Sequence, residues 1–495
     1  MNPLAYLKRA FRNATTGTVG VPYESAGSGR RTINWYAPGS GPNAALVGSL
    51  ATLRNRSRAG YRNNPWIKHG INRLVSNEVG TGIIPRSRAK AEELRKPINS
   101  LWDRAAAEID ADGRLDFYGL QTLISRTRNM AGEVFIRRRA RRMEDGLAVP
   151  VQIQILEPEF CPESLTIPLA NGNQIKAGIE FNGMGKRVAY WMYRAHPNDL
   201  EYSKDLTTYV RIPASEVIHH YIPLRPGQIR GEPVTAQALL KAYTFDSYDD
   251  AELKRKETKA AFTGFIKKNY DGEDDWRYDP ITGEPLDPDS DGVNNVAVQA
   301  GTMLSGLPGE EPILFDGDNT GQGYADFVRQ QLLGMATGLE GIPYEILSGD
   351  WSKVNDRLVR AILHEFRRGI EAVQDQYMIH QVCRRVWEWF IDAAVLSGAI
   401  AVSGYAANRV DIIAHEWRAQ GWPYLQPETD IAAKDRAIKA GLSSIEAEVA
   451  KTGYDYDEIQ DENIAAEKRL VEKRRAAGLS DYPPDWGAIP IQQQE

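Results

Sequence analysis

Residues 234–266, VTAQALLKAYTFDSYDDAELKRKETKAAFTGFI, place the strongest constraint on the architecture. This stretch has no proline and a single glycine, Gly264, so it predicts one helix of about 33 residues and roughly 50 Å. Its middle is charged on most faces, with Asp246, Asp249, Asp250, Glu252, Lys254, Arg255, Lys256, Glu257 and Lys259. A helix this polar requires hydrated neighbours, such as a water-filled channel or other copies of itself.

The region before this helix changes from helical to strand periodicity. Apolar residues at three- and four-residue spacing predict two helices over 45–77 that break at Asn63-Asn64-Pro65, and two more at about 89–110 and 116–130. Alternating patterns then predict strands at 133–142, 149–156, 187–194, 207–212 and 217–221. Residues 45–233 are therefore predicted to form an α+β module.

The region after the helix opens with a loop-rich insertion. Residues 267–323 are dense in Gly, Pro and Asp, with short strand patterns at 296–300 and 312–315. The sequence predicts a further helix at 324–338. A polar loop at 348–353 then precedes a predicted long amphipathic helix from Asn355 to about residue 397. Two or three shorter helices and a polar tail close the chain. The expected fold class is α+β, mainly helical.

Composition bounds the class of protein. The chain has 495 residues, a net charge of −6 and 42% hydrophobic residues, which is typical of globular chains with about two to four modules. Its longest uncharged stretch, 393–407, is shorter than the roughly 20 residues of a membrane-spanning helix, so we expect no membrane span. Two distant cysteines, Cys161 and Cys383, argue against a disulfide framework.

The net charge hides two oppositely charged segments. Residues 1–73 carry eleven basic side chains against one acid, Glu24, whereas residues 271–292 carry nine acids against one base, Arg277. Such runs are often solvated faces or flexible loops. Alternatively, the basic segment meets an acidic partner or nucleic acid, and the acidic segment repels phosphate or binds a basic protein. Charge alone does not choose between these readings.

Motifs for enzymatic chemistry are missing from the sequence. The nearest approach to a phosphate-binding loop has Glu180 in place of the first glycine and Arg187 in place of the hydroxyl residue. Neither cysteine has a histidine in its local motif, and no nucleophile elbow occurs. We therefore expect no catalytic residues and no enzymatic activity.

The sequence also predicts no metal or other cofactor. Neither His364 nor His415 has a second histidine at the spacing of a zinc protease helix. Residues 287–292 imitate the opening of a calcium loop, but Val298 stands where the bidentate Glu belongs, which favours an Asp-rich turn. His219 and His220 are adjacent on a predicted strand, so they point to opposite faces and cannot form one site.

A series of short motifs runs in order through residues 50–390. They are Tyr61-Arg62-Asn63-Asn64-Pro65, Val79-Gly80-Thr81-Gly82-Ile83-Ile84-Pro85, Gly132-Glu133-Val134-Phe135, Leu156-Glu157-Pro158, Glu216-Val217-Ile218-His219, Leu224-Arg225-Pro226-Gly227-Gln228-Ile229-Arg230-Gly231, Pro343-Tyr344-Glu345-Ile346-Leu347, Ser348-Gly349-Asp350 and Glu365-Phe366-Arg367-Arg368. Together they resemble the portal proteins of lambda-like tailed bacteriophages, the head-tail connector portals.

The resemblance implies a ring, typically dodecameric, at one capsid vertex of the virion, through which DNA is packaged and later ejected. It implies assembly in the host cytoplasm and a portal fold with wing, stem, clip and crown regions. On this chain the regions are a flexible basic arm (1–44), the wing (45–233), the first stem helix (234–266), the clip (267–323), the second stem helix (324–347), the tunnel loop (348–355), the long helix with a helical crown (356–470), and a polar tail (471–495).

The resemblance also implies candidate site residues. In the tunnel loop, Trp351, Ser352, Lys353 and Asn355 are expected nearest to DNA, with a purely structural turn as the alternative. After Asn355 the chain departs from the family, because residues 356–359 replace a small polar run. In the clip, an acidic face is expected to bind partner proteins through Asp274, Asp275, Asp287, Asp289 and Asp291, although a loop without contacts is also compatible with the sequence.

The implied partners are other copies of the chain, the terminase large subunit, head-completion and connector proteins, the major capsid protein and scaffold, and double-stranded DNA without sequence preference. The basic amino terminus could touch the inner capsid, the scaffold or DNA, and the sequence ranks none of these. An alternative function is a nucleic-acid-processing enzyme of the packaging machinery, a terminase or nuclease. That alternative requires a phosphate loop or a carboxylate cluster for two metals, and the sequence shows neither.

Overall fold

The computed structural model describes residues 34–199, 208–266, 281–282, 302–305, 323–422 and 426–479. Over these residues the fold is α+β and mostly helical, which confirms the expected class. Outside the described residues lie the five aspartates predicted for the clip, most of the predicted basic arm and the strand patterns at 296–300 and 312–315.

The helices follow the predicted order along the chain. They are α1 (Pro42–Asn63), α2 (Pro65–Glu78), α3 (Glu92–Glu108), α4 (Phe117–Ala131), α5 (Leu239–Ala261), α6 (Tyr324–Gly338), α7 (Tyr344–Ser348), α8 (Asp356–Val373), α9 (Arg384–Leu396), α10 (Tyr405–Ile412), α11 (Pro427–Lys439), α12 (Ile445–Ala450) and α13 (Tyr456–Ala476). A π-helical segment, Gln374–Cys383, joins α8 to α9, so the long predicted helix is one rod with a widened middle.

The strands form four small sheets. They are β1 (Ile84–Ser87), β2 (Glu133–Ala140), β3 (Val151–Leu156), β4 (Ile167–Pro168), β5 (Gln174–Lys176), β6 (Ile179–Phe181), β7 (Arg187–Tyr193), β8 (Tyr209–Pro213), β9 (Val217–Tyr221), β10 (Phe262–Ile266), β11 (Thr302–Ser305) and β12 (His415–Arg418). A three-stranded sheet has the order β3-β2-β9, and a five-stranded antiparallel sheet runs from β4 to β8 in sequence order. The remaining sheets are the pairs β1-β12 and β10-β11.

The predicted single helix over 234–266 is wrong at both ends. A short 3-10 turn, Val234–Gln237, opens it after Pro233, and α5 ends at Ala261. The last five residues form β10, which pairs in parallel with β11. Phenylalanine, threonine and isoleucine around Gly264 favour a strand when a partner strand is present, and that partner lies about forty residues downstream, beyond the reach of local periodicity.

The carboxy-terminal end also differs from the prediction. Four helices, α10 to α13, follow the long rod where two or three were expected, and α13 continues to Ala476, past the expected start of a polar tail at residue 471. Acidic residues in the first turn of α13 and basic residues in its last turn complement the helix dipole and account for its length.

The break between α1 and α2 is as predicted and has a clear local cause. Asn64 caps α2, with its side-chain oxygen accepting a hydrogen bond from the Ile67 amide at 2.9 Å, and Pro65 occupies the first helical position. The same Asn64 side chain donates to the carboxylate of Asp246 on α5 at 2.8 and 2.9 Å. The helix break therefore fixes the base of α5 against the α1-α2 corner.

Two large apolar cores hold most of these elements together, and a smaller cluster around Phe135 lies between the three-stranded and five-stranded sheets. The larger core packs α3, α4, the three-stranded sheet and α9, and its centre is the buried Trp102, whose ring lies 5.0–5.2 Å from the rings of Phe117, Trp387 and Phe390. The second core packs α5 and α6 against α2 and α8 through residues such as Phe245 and Met335. Among the described helices, none is both long enough and apolar enough to cross a bilayer.

Candidate functional site

The predicted tunnel loop is a short, self-bonded turn between α7 and α8. Gly349, with φ of 72°, ends α7 in the left-handed region that favours glycine. The Asp350 carboxylate then accepts hydrogen bonds from the Ser352 amide at 3.0 Å and from the Ser352 hydroxyl at 2.6 Å. The Ser348 hydroxyl accepts from the Asp350 amide at 3.1 Å. The loop conformation is therefore fixed locally, around Asp350.

The loop is tied to α6 by a contact that sequence reasoning missed. The Tyr344 hydroxyl lies 3.4 Å from Asp350 Oδ2, and the Arg329 guanidinium lies 3.9 Å from the same oxygen. Arg329 also stacks over the Tyr344 ring, 4.6 Å from its centroid. Hydrogen bonds from Ser352, together with Tyr344 and the Arg329 charge, lower the pKa of Asp350, so its carboxylate is ionised at neutral pH.

The four predicted loop residues have different roles in this geometry. Asn355 caps α8, since its side-chain oxygen accepts a hydrogen bond from the Leu358 amide at 3.0 Å, and Ser352 bonds to Asp350. Trp351 is 41% exposed, and Lys353 is exposed without a hydrogen bond or ion pair to any residue in the described ranges. All four side chains are exposed, but Ser352 and Asn355 are bound within the loop, which leaves Trp351 and Lys353 available to a partner.

Helices α5 and α6 form the pair expected to be the stem. Near the far end of the pair, the rings of Tyr248 and Phe327 lie 4.8 Å apart, and the Tyr324 hydroxyl donates to the Asp249 carboxylate. The Lys256 ammonium lies 4.5 Å from the centroid of the Tyr324 ring. These contacts run between charged and aromatic side chains at the surface, which explains how such polar helices can pair.

Three large apolar side chains of α5 are exposed beside its charged residues. Leu240 is 77% exposed, Tyr243 is 74% exposed and Leu253 is 58% exposed. Leu240 also lines a groove of about 460 Å³ between α5 and α6, together with Phe245 and Phe327. Exposed apolar patches of this kind mark surfaces that bind another molecule.

Several of the motifs quoted above meet at one buried ion cluster. Arg230 and Glu133 are both fully buried, with Nη2 2.6 Å from Oε1, and Arg230 Nε donates to the same oxygen at 2.7 Å. The Glu133 Oε2 atom lies 2.8 Å from His219 Nε2 and accepts from the Gly231 amide at 3.0 Å. The remaining Arg230 donors bond to backbone carbonyls, including that of Cys161. The cluster joins β2, β9 and the segment after Gly227 in the dry interior.

Electrostatics make this cluster a fixed charge pair. Burial acts to raise the pKa of Glu133, but the Arg230 charge and the hydrogen bond with His219 outweigh it, so that pKa lies far below its ordinary value. Burial lowers the pKa of His219 to about 4, which leaves its ring neutral at pH 7. His220 points to the opposite side of β9, where its Nδ1 lies 2.8 Å from Gln381 Oε1, as the alternation predicts.

One group of side chains has the composition of a metal site. Glu157, Glu159 and His196 bring potential ligand atoms within 4.8 Å of one another. The Glu159 carboxylate, however, already accepts from Arg54 at 2.7 Å and from Arg58. Burial acts to raise the pKa of Glu159, but the Arg58 hydrogen bond and both arginine charges lower it overall. The group is better described as an ion-pair network than as a metal centre.

Comparison with known sequences gives matches over most of the chain. The sequence model of the family described as "Phage portal protein, lambda family" matches residues 28–374. A probable portal protein of Halomonas phage phiHAP-1 is 28% identical over 454 residues, covering 88% of this chain and 85% of the relative. Portal protein B of Escherichia phage lambda is 21% identical over 500 residues, covering 94% of this chain and 91% of the relative.

Comparison with solved structures gives weaker similarity. A chain from the neck of an empty GTA particle, computed with C6 symmetry, matches with a TM-score of 0.40 and 13% identity, covering 87% of this chain and 94% of that one. A chain from the neck of a native GTA particle, computed with C12 symmetry, matches with the same TM-score and 11% identity, again covering 87% and 94%.

Proposed function

The chain belongs to the lambda family of phage portal proteins, and from this premise we propose that its copies close into a ring around a channel for double-stranded DNA. Its role is that of a structural portal protein. Each relative named above is called a portal protein, so nothing in the comparisons favours the alternative of a terminase or nuclease. We propose that the chain has no catalytic activity of its own and acts at the capsid vertex of the virion.

The observation that carries the ring is the exposed apolar surface of the α5-α6 pair. Leu240 and Tyr243 lie one helical turn apart on α5, and both are about three-quarters exposed. A neighbouring copy that covers them buries apolar area while leaving the charged face of α5 hydrated. Such a surface meets a different surface on the next copy, and repeated head-to-tail contacts of this kind close into a ring when the rotation permits.

The carboxy-terminal helices support the same proposal. Within the described part of the chain, α11, α12 and α13 contain no buried residue, although Ile431, Ile445 and Ile464 are each about half exposed. Helices without a fully buried residue in one copy gain less from tertiary packing, which normally supplies most of a helix's stability. Contacts with neighbouring copies in the crown would supply that packing.

The ring is tested by electron microscopy and native mass spectrometry of the purified chain. We expect rings with a central hole, and we expect Leu240→Asp/Tyr243→Asp to shift the chain toward monomers while its far-ultraviolet circular dichroism stays the same. Met184→Asp is the matched control, because Met184 is 87% exposed on a hairpin turn away from α5. A wild-type chain that stays monomeric under all assembly conditions would overturn the proposal.

The tunnel loop is proposed as the point of closest approach to DNA. Trp351 and Lys353 face solvent, while Ser352 and Asn355 hold the loop and the start of α8 in place. One cation per copy gives a ring of positive charges that attracts phosphates without reading sequence. Few cations suit a channel through which DNA moves, because many phosphate contacts would hold the duplex through counterion release.

The loop is tested in assembled particles. Lys353→Ala is expected to leave ring formation intact and to change the packaged genome length or the retention of packaged DNA. Lys353→Arg keeps the charge and is the matched control. If both quantities are the same for Lys353→Ala as for wild type, Lys353 does not contact DNA in the way proposed.

The remaining regions and partners follow from the family. We propose the wing at 45–233, the stem at 234–266 and 324–347, the clip at 267–323 and the crown within 356–470. The acidic clip residues Asp274, Asp275, Asp287, Asp289 and Asp291 would offer a face to a basic surface of the terminase large subunit and later of the connector proteins. The basic arm at 1–44 would face the capsid, the scaffold or DNA.

A further inference from the structure

One face of the three-stranded sheet changes from dry core to a row of arginines. Phe135 on β2 packs into the apolar cluster shared with the five-stranded sheet, and every second residue after it on the same face is an arginine: Arg137, Arg139 and Arg141. Arg141 continues the strand ladder beyond β2, since its amide donates to the Pro150 carbonyl at 3.0 Å. We call these three arginines the guanidinium face.

Glutamines, which carry no charge, hold two of the three arginines in place. Arg139 Nε donates to Gln154 Oε1 at 2.9 Å, and Arg141 Nε donates to Gln152 Oε1 at 2.7 Å. Gln152 is itself fixed, because its amide group donates to the Glu108 carbonyl at 2.8 Å. An amide oxygen orients a guanidinium without cancelling its charge, whereas a carboxylate would do both. The guanidinium face is therefore ordered and still fully positive.

The three arginines have no acidic partner in the part of the chain that the structure describes. The salt bridges recorded there for other arginines, such as Arg54 with Glu159, have no counterpart at Arg137, Arg139 or Arg141. Burial lowers the pKa of Arg139 most, and repulsion from the charges of Arg137 and Arg141 lowers it further. Arg137 Nε is buried without a hydrogen-bond partner. A row of like charges on one face is destabilising unless an anion binds it.

We propose that the guanidinium face binds the phosphate backbone of double-stranded DNA without sequence preference, as a second DNA contact on a different element from the tunnel loop. Alternate residues of a strand have Cα atoms about 6.7 Å apart, which is comparable with the separation of successive phosphates along a DNA strand. The planar guanidinium fork matches phosphate oxygens two at a time. The proposal stands on the wing residues alone and does not depend on the ring.

The polar character of the face favours DNA over an acidic protein. Its described members are Arg137, Arg139, Arg141, Gln152 and Gln154, and none is an apolar or aromatic anchor. Protein interfaces draw most of their affinity from a few such anchors in desolvated pockets. Phosphate contacts alone, in contrast, are sufficient for sequence-independent DNA binding.

The test measures binding of the full-length chain to covalently closed circular DNA, which has no end that could thread through a ring. Filter binding over 50–200 mM salt gives the slope of log affinity against log salt. For Arg137→Gln/Arg139→Gln/Arg141→Gln, the loss of three phosphate contacts is expected to reduce that slope by about 2.7. Across this salt range the wild-type affinity then falls about 40-fold more than that of the variant.

The matched control removes the same charge elsewhere. Arg104, Arg436 and Arg469 are exposed, and replacing all three by glutamine is expected to leave the salt slope close to that of wild type. If the two triple variants have the same slope and affinity, the guanidinium face does not bind DNA. Binding of labelled polyglutamate that is lost only in the Arg137/Arg139/Arg141 variant, with DNA binding unchanged, would assign the face to an acidic protein and overturn the proposal.

A second variant keeps every arginine and guards against misfolding. Gln154→Glu preserves the acceptor of Arg139 but neutralises its charge, so DNA affinity is expected to fall and the salt slope to decrease by up to about 0.9. An arginine row that is only structural would be stabilised by this carboxylate, with no change in DNA binding. That outcome would also overturn the proposal.

Discussion

Replacing Glu133 by glutamine tests the buried cluster at which the portal motifs meet. The side chains of Glu133 and Arg230 are both 0% exposed, so the variant leaves the Arg230 charge in the dry interior without a counter-charge. Removing one partner of a buried pair costs about 3–5 kcal/mol of stability, because the remaining charge can neither reach water nor find another anion. Glutamine has nearly the same shape as glutamate, so the loss reports charge and hydrogen bonding more than packing.

The hydrogen bonds around Glu133 place the expected loss toward the upper part of that range. Its two oxygens receive donors from Arg230, His219 and the Gly231 amide. A glutamine side chain offers one oxygen and one NH2 group, so at least one of these donors would face another donor. The His219 ring can relieve part of the conflict by changing tautomer, because its Nδ1 atom has no hydrogen-bond partner among the described residues. We expect a loss of about 4 kcal/mol.

Native-state hydrogen exchange measures this loss where it occurs. In Glu133→Gln the amides of β2 and β9 are expected to lose about three orders of magnitude in protection, because each factor of ten corresponds to about 1.4 kcal/mol. Asp461→Asn is the control, since it removes an ion pair whose two side chains are 86% and 61% exposed and is expected to cost at most about 1 kcal/mol. Glu133→Gln/Arg230→Met, which removes both charges, is expected to regain most of the protection.

The reasoning would be refuted if Glu133→Gln left the protection of both strands within tenfold of wild type, or if the double variant were less protected than the single one. The first result would mean that Arg230 finds another counter-charge or water. The second would mean that the hydrogen bonds from Arg230 to backbone carbonyls matter more than the charge pair.

Three further predictions follow from the same structure. His219 has a pKa of about 4 in the folded chain against 6.5 in the unfolded chain, so the unfolded state binds more protons between these two pH values. The free energy of unfolding, measured with urea, is therefore expected to fall by about 3 kcal/mol as the pH drops from 6.5 to 4. His219→Gln should remove this pH-dependent loss. Gly231→Ala would force a methyl group against the Gly132 carbonyl oxygen and should lower the melting temperature, whereas Gly369→Ala, with open space around it on α8, should preserve or raise it. Asp350→Ala should increase proteolytic cleavage at 351–355 without changing ring formation, because the hydrogen bonds that fold the loop are lost.

Local periodicity predicts those elements whose ends are set by local chemistry. Helix α6 spans the predicted 324–338, and β9 spans the predicted 217–221. In both cases a turn signal and a clear period coincide. The α1-α2 break is predicted for the same reason, since Asn64 and Pro65 are a cap and a first-turn residue whatever the tertiary context.

Long-range pairing accounts for most of what the sequence does not predict. Strand β1 contains Pro85 and pairs with β12 more than 300 residues later, so neither strand has a recognisable pattern of its own. The strand β10 at the end of the predicted stem helix has the same cause. The π-helical segment at 374–383 is also unpredicted, because apolar spacing over ten residues does not distinguish a π-helical from an α-helical period.

For the candidate loop, too, the sequence predicts the position but not all of the contacts. Its position follows from the motif Ser348-Gly349-Asp350 and from the glycine that ends α7. The role of Asp350 could have been inferred from a serine two residues later, which is the spacing of a side-chain turn. The contact of Arg329 and Tyr344 with Asp350 could not, because it depends on how α6 packs beside α7.

The convergence of the portal motifs on the Glu133 cluster gives them a physical meaning. Gly132 and Gly231 stand where a side chain on either residue would collide with the other segment, and their neighbours Glu133 and Arg230 form the charge pair that this close approach allows. Substituting any one residue of the cluster leaves a buried charge unpaired or creates a steric clash, whereas substituting several of them together preserves the site only if charge and space are both restored. A motif built on such a cluster identifies an α+β region that folds in this way. The DNA contacts that we propose lie elsewhere, on the solvent-facing loop and the guanidinium face, where single substitutions cost the fold little and where function can be tested separately from stability.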